Sequence, residues 1–252
     1  MRFWDEINTG RGFSLDVLTA DELAMVRETI TSQYLDQLGA VDPELRTSAA
    51  RVGIDNYHTQ PIPFEHGSFW SKEKRVLGES TLRVFAEMGF FRRIRALLPS
   101  ANIYPDDLMW RIVRPGAPDD VGPVHADKWF WDVGNGSLPD GTSRFKIWIA
   151  VFTEPGLNGL SVKSHSQMSD RWKHHFEFKH GTMKPVLDET PEELEMEILP
   201  LKPGEMVFFH DALLHGGVLN RGTGCRVSVE LTVSYTTEEG ERLLAGSRRQ
   251  AA

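Results

Sequence analysis

The clearest period in the chain runs from Arg226 to Tyr235. Val227, Val229, Leu231, Val233 and Tyr235 alternate with Arg226, Ser228, Glu230 and Thr232, the period-two pattern of a strand with one face in an apolar core. Phe145 to Thr153 repeats it, with Phe145, Ile147, Ile149 and Val151 on one face and Lys146, Trp148 and Ala150 on the other. Leu108 to Val113, Leu194 to Leu199 and Met206 to Phe209 read as further strands. The earlier part of the chain has a helical period instead. Thr19-Ala20-Asp21-Glu22 has capping-box spacing, and Leu23, Val26, Ile30 and Tyr34 follow at helical intervals until Gly39, a natural stop. Ser71 is placed to cap a second helix built on Val76, Leu77, Leu82, Val84, Phe85 and Met88. Phe90 to Leu98 reads as a short helix ended by Pro99, its arginines on a solvated face.

Four segments carry no period. Residues 40 to 70 scatter Pro, Gly and His, and His58 and His66 there fit surface or pocket-lining positions. Val133 to Ser143 is Gly-rich and reads as a flexible loop suited to a lid. Residues 164 to 193 form a locally basic insert with Arg171, Lys173, His174, His175, Lys179, His180 and Lys184. It reads either as a solvated excursion or, since long loops near a barrel mouth serve binding, as a site for an anionic substrate group. His174 and His175 make a poor metal pair, because adjacent side chains diverge in a strand. The polar tail after Tyr235 is expected to be loose.

Composition narrows the class. With 252 residues, 40% hydrophobic and 25% charged, the chain can bury a full core as a single domain, 1–252. No apolar run approaches the roughly 18 residues of a membrane helix, and the N-terminus lacks a secretory pattern. A single cysteine, Cys225, fits a reducing cytoplasmic setting. The net charge of −8 argues against nucleic acid as a partner. Nothing in the sequence sets an oligomeric state.

The chemistry is concentrated in two stretches. Gly122-Pro123-Val124-His125-Ala126-Asp127 carries a His-x-Asp pair, which an extended strand would turn to one side. Phe209-His210-Asp211-Ala212-Leu213-Leu214-His215 supplies a second imidazole. Two histidines and one carboxylate on one side of a metal leave its other positions open, as Fe(II) oxygenases require. Arg226 opens the alternating strand eleven positions after His215, and its guanidinium fork matches a carboxylate. Lys146, turned inward, is costly to bury without an anion. Trp129 and Trp131 follow the His-x-Asp pair closely and suit either stacking on a substrate ring or packing at a barrel mouth.

These residues resemble the phytanoyl-CoA dioxygenase family of Fe(II)/2-oxoglutarate-dependent oxygenases. The matching landmarks are Arg114-Pro115-Gly116, His125-Ala126-Asp127, Ile147-Trp148-Ile149-Ala150, Asn158-Gly159, Lys202 to His210, His215, Asn220 and Arg226. They run in family order over about residues 105 to 235, behind a helical part over about 1 to 100. The resemblance implies a mainly β fold with flanking helices around a double-stranded β-helix, the jelly roll of cupins. It implies Fe(II) held by His125, Asp127 and His215, with 2-oxoglutarate gripped by Arg226 and lined by Trp148. Lys146 is a further candidate for the cosubstrate, and Trp129 for the substrate.

The implied reaction consumes O2 and 2-oxoglutarate, releases succinate and CO2, and oxidises a small polar metabolite, most simply by hydroxylation in a biosynthetic pathway. Asp127 occupies the place that family halogenases leave open for chloride. Two departures stand out. Lys163-Ser164-His165-Ser166-Gln167 replaces the family's Pro-Gly-Ser/Thr-His turn, and Gly217 stands where a serine is common. Two other readings share the architecture: a cupin-like metal isomerase or lyase, and a non-catalytic small-molecule-binding jelly roll. Succinate formation coupled to substrate separates the three.

Overall fold

A computed structural model describes residues 2–134, 136–179, 182–190 and 193–250. Helix α1 (Arg2–Asn8) and strand β1 (Phe13–Val17) open the chain. Helices α2 (Ala20–Gly39), α3 (Pro43–Val52), α4 (His66–Phe69), α5 (Lys72–Arg75), α6 (Glu79–Glu87) and α7 (Gly89–Leu97) follow. Next come β2 (Asn102–Ile103), β3 (Met109–Val113), α8 (Asp127–Asp132), β4 (Thr142–Phe152) and β5 (Leu160–Val162). The chain closes with β6 (His174–Lys179), β7 (Thr182–Leu187), β8 (Glu197–Leu199), β9 (Glu205–His210), β10 (His215–Gly217), β11 (Arg226–Thr236) and α9 (Thr237–Gln250).

The alternating strand is the pivot. β11 pairs antiparallel with β4 on one side and with β3 and β2 on the other, while β9 and then β1 extend the sheet beyond β4. Its two faces separate as the pattern requires. Val227, Val229, Leu231 and Val233 join Phe145, Ile147, Ile149, Val151, Trp110 and Ile112 in a core completed by Val26, Ile30, Tyr34 and Leu38 of α2. Each such side chain contributes roughly 1.5–3 kcal/mol through burial. On the opposite face Trp148, Ala150, Val207, Phe209 and Phe13 meet Leu160, Val162 and Leu199 of a second sheet, ordered β10-β5-β8. Two packed antiparallel sheets with flanking helices make the expected jelly roll. Among the described residues the strands do not close into a barrel.

Local signals explain the covering helix. Thr19 accepts from the Glu22 amide and Glu22 accepts from the Thr19 amide, a complete capping box. Arg27 then donates twice to the Val151 carbonyl and lies over the Phe152 ring, pinning α2 to β4.

Tertiary contacts override local expectation elsewhere. The helix expected from Ser71 is broken into α5 and α6, because Val76 bridges to Met109 and the Leu77 amide donates to Leu108. That interval is drawn out as an edge to β3, and Ser71 makes no side-chain cap bond. The expected strand from Leu194 shrinks to Glu197–Leu199, with Leu194 buried in the preceding loop. The tail is a helix rather than loose, because Leu243 and Leu244 pack on the core and the Trp4 indole donates to the Gly240 carbonyl. Strand β1, which the sequence pattern did not mark, gains its order by pairing with β9. The basic insert contains the β6–β7 hairpin; His180 lies outside the described residues. No helix among the described residues is long and apolar enough to cross a membrane.

Candidate active site

His125 and His215 come together through the backbone. Each amide donates to the other's carbonyl at 2.9 Å, an isolated bridge that joins the loop after β3 to the start of β10. The imidazoles are then oriented by their own neighbours. His125 Nδ1 faces the Pro123 carbonyl at 2.8 Å, and His215 Nδ1 faces the Leu213 carbonyl at 2.9 Å. A carbonyl oxygen only accepts, so each Nδ1 carries the proton and each Nε2 presents a lone pair.

Those lone pairs converge on Asp127. Its Oδ1 is 3.7 Å from His125 Nε2 and its Oδ2 is 3.4 Å from His215 Nε2. Ligand atoms of the three residues lie within 4.8 Å of one another, the one such group among the described residues. The expected common strand for His125 and Asp127 is not what joins them. Asp127 is the first residue of α8, after an extended Ala126, and the helix start swings its carboxylate toward the histidines.

Electrostatics favour a cation here. Burial acts to raise the Asp127 carboxyl, but Lys146, His215 and His125 hold it well below the usual range. Burial pushes His215 down to about 4, outweighing the pull of Asp127, so its Nε2 is unprotonated at neutral pH. Asp127 Oδ2 is buried and has no hydrogen-bond partner. A buried anion with an open oxygen between two imidazole lone pairs fits a metal ion better than solvent.

Arg226 stands at the start of β11, on the inner face and buried. Its Nη1 donates to the Gly159 carbonyl at 3.1 Å, while Nε has no partner. Burial lowers its pKa to about 10, which leaves it charged at neutral pH. Trp148 lies beside it, with the guanidinium 5.8 Å from the ring centroid. Trp148 Nε1 and Ser228 Oγ are also buried without partners. Three orphaned polar groups around one fixed cation form a cradle for a polar anion, and 2-oxoglutarate fits that donor set.

Lys146 does meet an anion, but the protein supplies it. Its Nζ donates to Asp107 at 2.5 Å and to Thr232 at 2.8 Å, and stands 3.9 Å from Asp127. Thr232 in turn donates to Asp107. The sequence reading missed Asp107 because it lies outside the alternating segments. Trp129 is taken up by packing: it is buried against Leu187 and Leu214, and stacks on His174 of β6 at 4.1 Å. Trp131 instead lies under Arg144 and against Tyr104.

The surrounding loops hold these positions. Asp120 accepts three hydrogen bonds from Arg114, two from its guanidinium and one from its amide, and faces the buried His66. Asn220 ties together Val113, Gly224 and Asn158. Both departures from the family pattern are accommodated. His165 adopts the left-handed φ of 66° that a glycine would supply, and Ser166 Oγ accepts from the Leu214 amide. A Cβ on Gly217 would come within 2.9 Å of Val121 Cγ1, so this loop crowds the place of a serine. In the basic insert His175 is held between Asp188 and Glu177, and Arg171 lies over Trp172. His58 faces the Cys225 thiol.

A candidate His-Asp-His group and a buried arginine inside a jelly roll are what a 2-oxoglutarate-dependent non-heme iron oxygenase requires. The phytanoyl-CoA dioxygenase (PhyH) family model matches residues 17–228, and the chain belongs to that family. Its cofactors are accordingly Fe(II) and 2-oxoglutarate.

Solved structures share the fold. EvdO2 from Micromonospora carbonacea var. aurantiaca, solved with 2-oxoglutarate, is 15% identical with a TM-score of 0.59, over 93% of this chain and 90% of that one. The non-heme monooxygenase ThoJ gives 15% and 0.56, over 93% and 79%. EctD from S. alaskensis gives 17% and 0.53, over 94% and 77%. No curated protein matches in sequence.

Proposed function

We propose that His125, Asp127 and His215 hold the Fe(II), that Arg226 anchors the distal carboxylate of 2-oxoglutarate beside Trp148, and that the enzyme hydroxylates a small polar metabolite in a biosynthetic pathway. The observation that carries this reading is the convergence of two Nε2 lone pairs on a buried, unpartnered carboxylate oxygen. When bound, the iron with O2 and 2-oxoglutarate supplies the oxidising power for an unactivated C–H bond, and succinate and CO2 are released. The chain's own part is to leave one side of the metal open, to orient both imidazoles through Pro123 and Leu213, and to fix the cosubstrate by charge. Asp127 fills the position a halide would need, which favours oxygen insertion over chlorination.

The test is anaerobic Fe(II) titration of wild type and His215→Ala, followed by succinate analysis. Wild type binds one iron and makes succinate from 2-oxoglutarate, while the variant loses stoichiometric iron. Wild-type iron affinity in the variant overturns the ligand assignment, and turnover of substrate without loss of 2-oxoglutarate overturns the reaction class.

A further inference from the structure

Four ion pairs line the inner face or its approach, and two of them are closed by hydrogen bonds. Lys146 and Asp107 share Thr232. Arg114 and Asp120 are joined through the guanidinium fork, and Arg144 meets Asp211 at 2.9 Å with its guanidinium on the Trp131 ring. The fourth pair is the most exposed of the four. Arg111 of β3 and Glu230 of β11 both project to the inner face, since Trp110, Ile112, Val229 and Leu231 between them face the helix-covered core. Arg111 Nε lies 2.8 Å from Glu230 Oε1. These two side chains remain 34% and 20% exposed.

Position links the pair to the reacting centre. Ser228 and Glu230 stand two and four residues along β11 from Arg226, and Glu230 is opposite Trp148 of β4. The Arg111 guanidinium reaches the Gly122 end of the loop that carries His125. Both charges are within electrostatic reach of Asp127.

We propose that Arg111 and Glu230 are the substrate-recognition pair, and that the substrate is a small zwitterion presenting its carboxylate to Arg111 and its ammonium group to Glu230. The inference rests on the metal and cosubstrate assignment above. Its physical basis is the cost of leaving one half of a partly buried pair alone. A substrate with only a carboxylate would draw Arg111 away and strand Glu230; a simple amine would strand Arg111. A neutral polyol would replace charge-assisted contacts with weaker ones. A net-neutral dipole of matching spacing satisfies both partners and leaves the site's charge balance unchanged.

The experiment uses the full chain loaded with Fe(II) and 2-oxoglutarate, first without O2, with binding read by calorimetry and by the iron–cosubstrate absorption band. The probes are free L-amino acids and betaines, set against matched simple amines, carboxylates and polyols. O2 is then admitted and succinate counted. Zwitterions are expected to bind and to accelerate succinate release, and the singly charged and neutral probes are not. Arg111→Gln and Glu230→Gln should each weaken zwitterion binding by about tenfold or more, with iron and 2-oxoglutarate affinity retained. Glu230→Gln should gain binding of simple carboxylates, and Arg111→Gln of simple amines, a transfer of selectivity that a purely structural pair would not produce. Should either variant fold poorly, Arg111→Met and Glu230→Leu remove the same charges and carry the same comparison. Loss of iron or cosubstrate binding in wild type would refute the parent assignment. Intact loading with no zwitterion response, or with selectivity unmoved by the variants, overturns this proposal alone.

Discussion

The two faces of β11 carry residues of opposite kinds one position apart. Outward, Val227, Val229, Leu231 and Val233 are fully buried against the helices, and nothing polar interrupts them. Inward, Arg226, Ser228 and Thr232 are buried too and Glu230 partly so, yet Arg226 Nε and Ser228 Oγ lack partners. The outward face is a finished surface, with each side chain matched by apolar neighbours. The inward face is stable only because the outward one is, and its unfilled donors and acceptors are where a ligand completes the structure. Stability and function are thus divided by the pleat of a single strand.

The largest effect separating the faces is expected at Leu231. Leu231→Ala removes an entirely buried side chain from the outward core and should cost about 2–5 kcal/mol of unfolding free energy, read from denaturant midpoints. The folded fraction should keep its iron stoichiometry. A variant of wild-type stability that bound no iron would invert the division.

Next in size is the inward face. Arg226→Leu should weaken 2-oxoglutarate by about 1.5–3 kcal/mol, or roughly tenfold to a hundredfold in affinity. Folding stability should change less, because the buried cation brings a desolvation cost that leucine does not. Iron binding should survive. Equilibrium binding of 2-oxoglutarate under anaerobic conditions checks it, and unchanged affinity would place the anchor elsewhere.

The difference between the faces also explains how much was legible in the sequence. Alternation in β4 and β11 predicted both faces correctly, because a strand buried on one side leaves a period of two in the residues themselves. The capping box predicted the start of α2 for a similar reason: its signal is complete within four residues. The site residues His125, Asp127 and His215 stand out as residue types, but their geometry is not local. Asp127 reaches the histidines from a helix start, and the expected strand spacing missed this. Asp107, which neutralises Lys146, sits in a 3-10 turn with no period to mark it. The β1 strand, the split between α5 and α6, and α9 all depend on what they pack against, and no local pattern encodes those partners.

The smallest expected effect belongs to the outward side and tests whether its influence stops at the sheet. Thr19 is exposed, more than twenty residues of chain away from any proposed ligand, yet its capping box starts the helix that covers β4. Its hydroxyl accepts from the Glu22 amide at 3.2 Å, and Glu22 answers with one oxygen on the Thr19 amide and the other on the Gly89 amide at the start of α7. Thr19→Ala removes one cap bond near solvent, where water can replace it, so the loss should be about 1 kcal/mol. For a chain of this size that is a fall of roughly 2–4 °C in Tm, measurable by scanning calorimetry. Iron and 2-oxoglutarate affinities should be unchanged, since Arg27 still fastens α2 to Val151. A weakened cosubstrate affinity in Thr19→Ala would mean that α2 transmits strain through β4 to Trp148, and the two faces would then be coupled rather than divided.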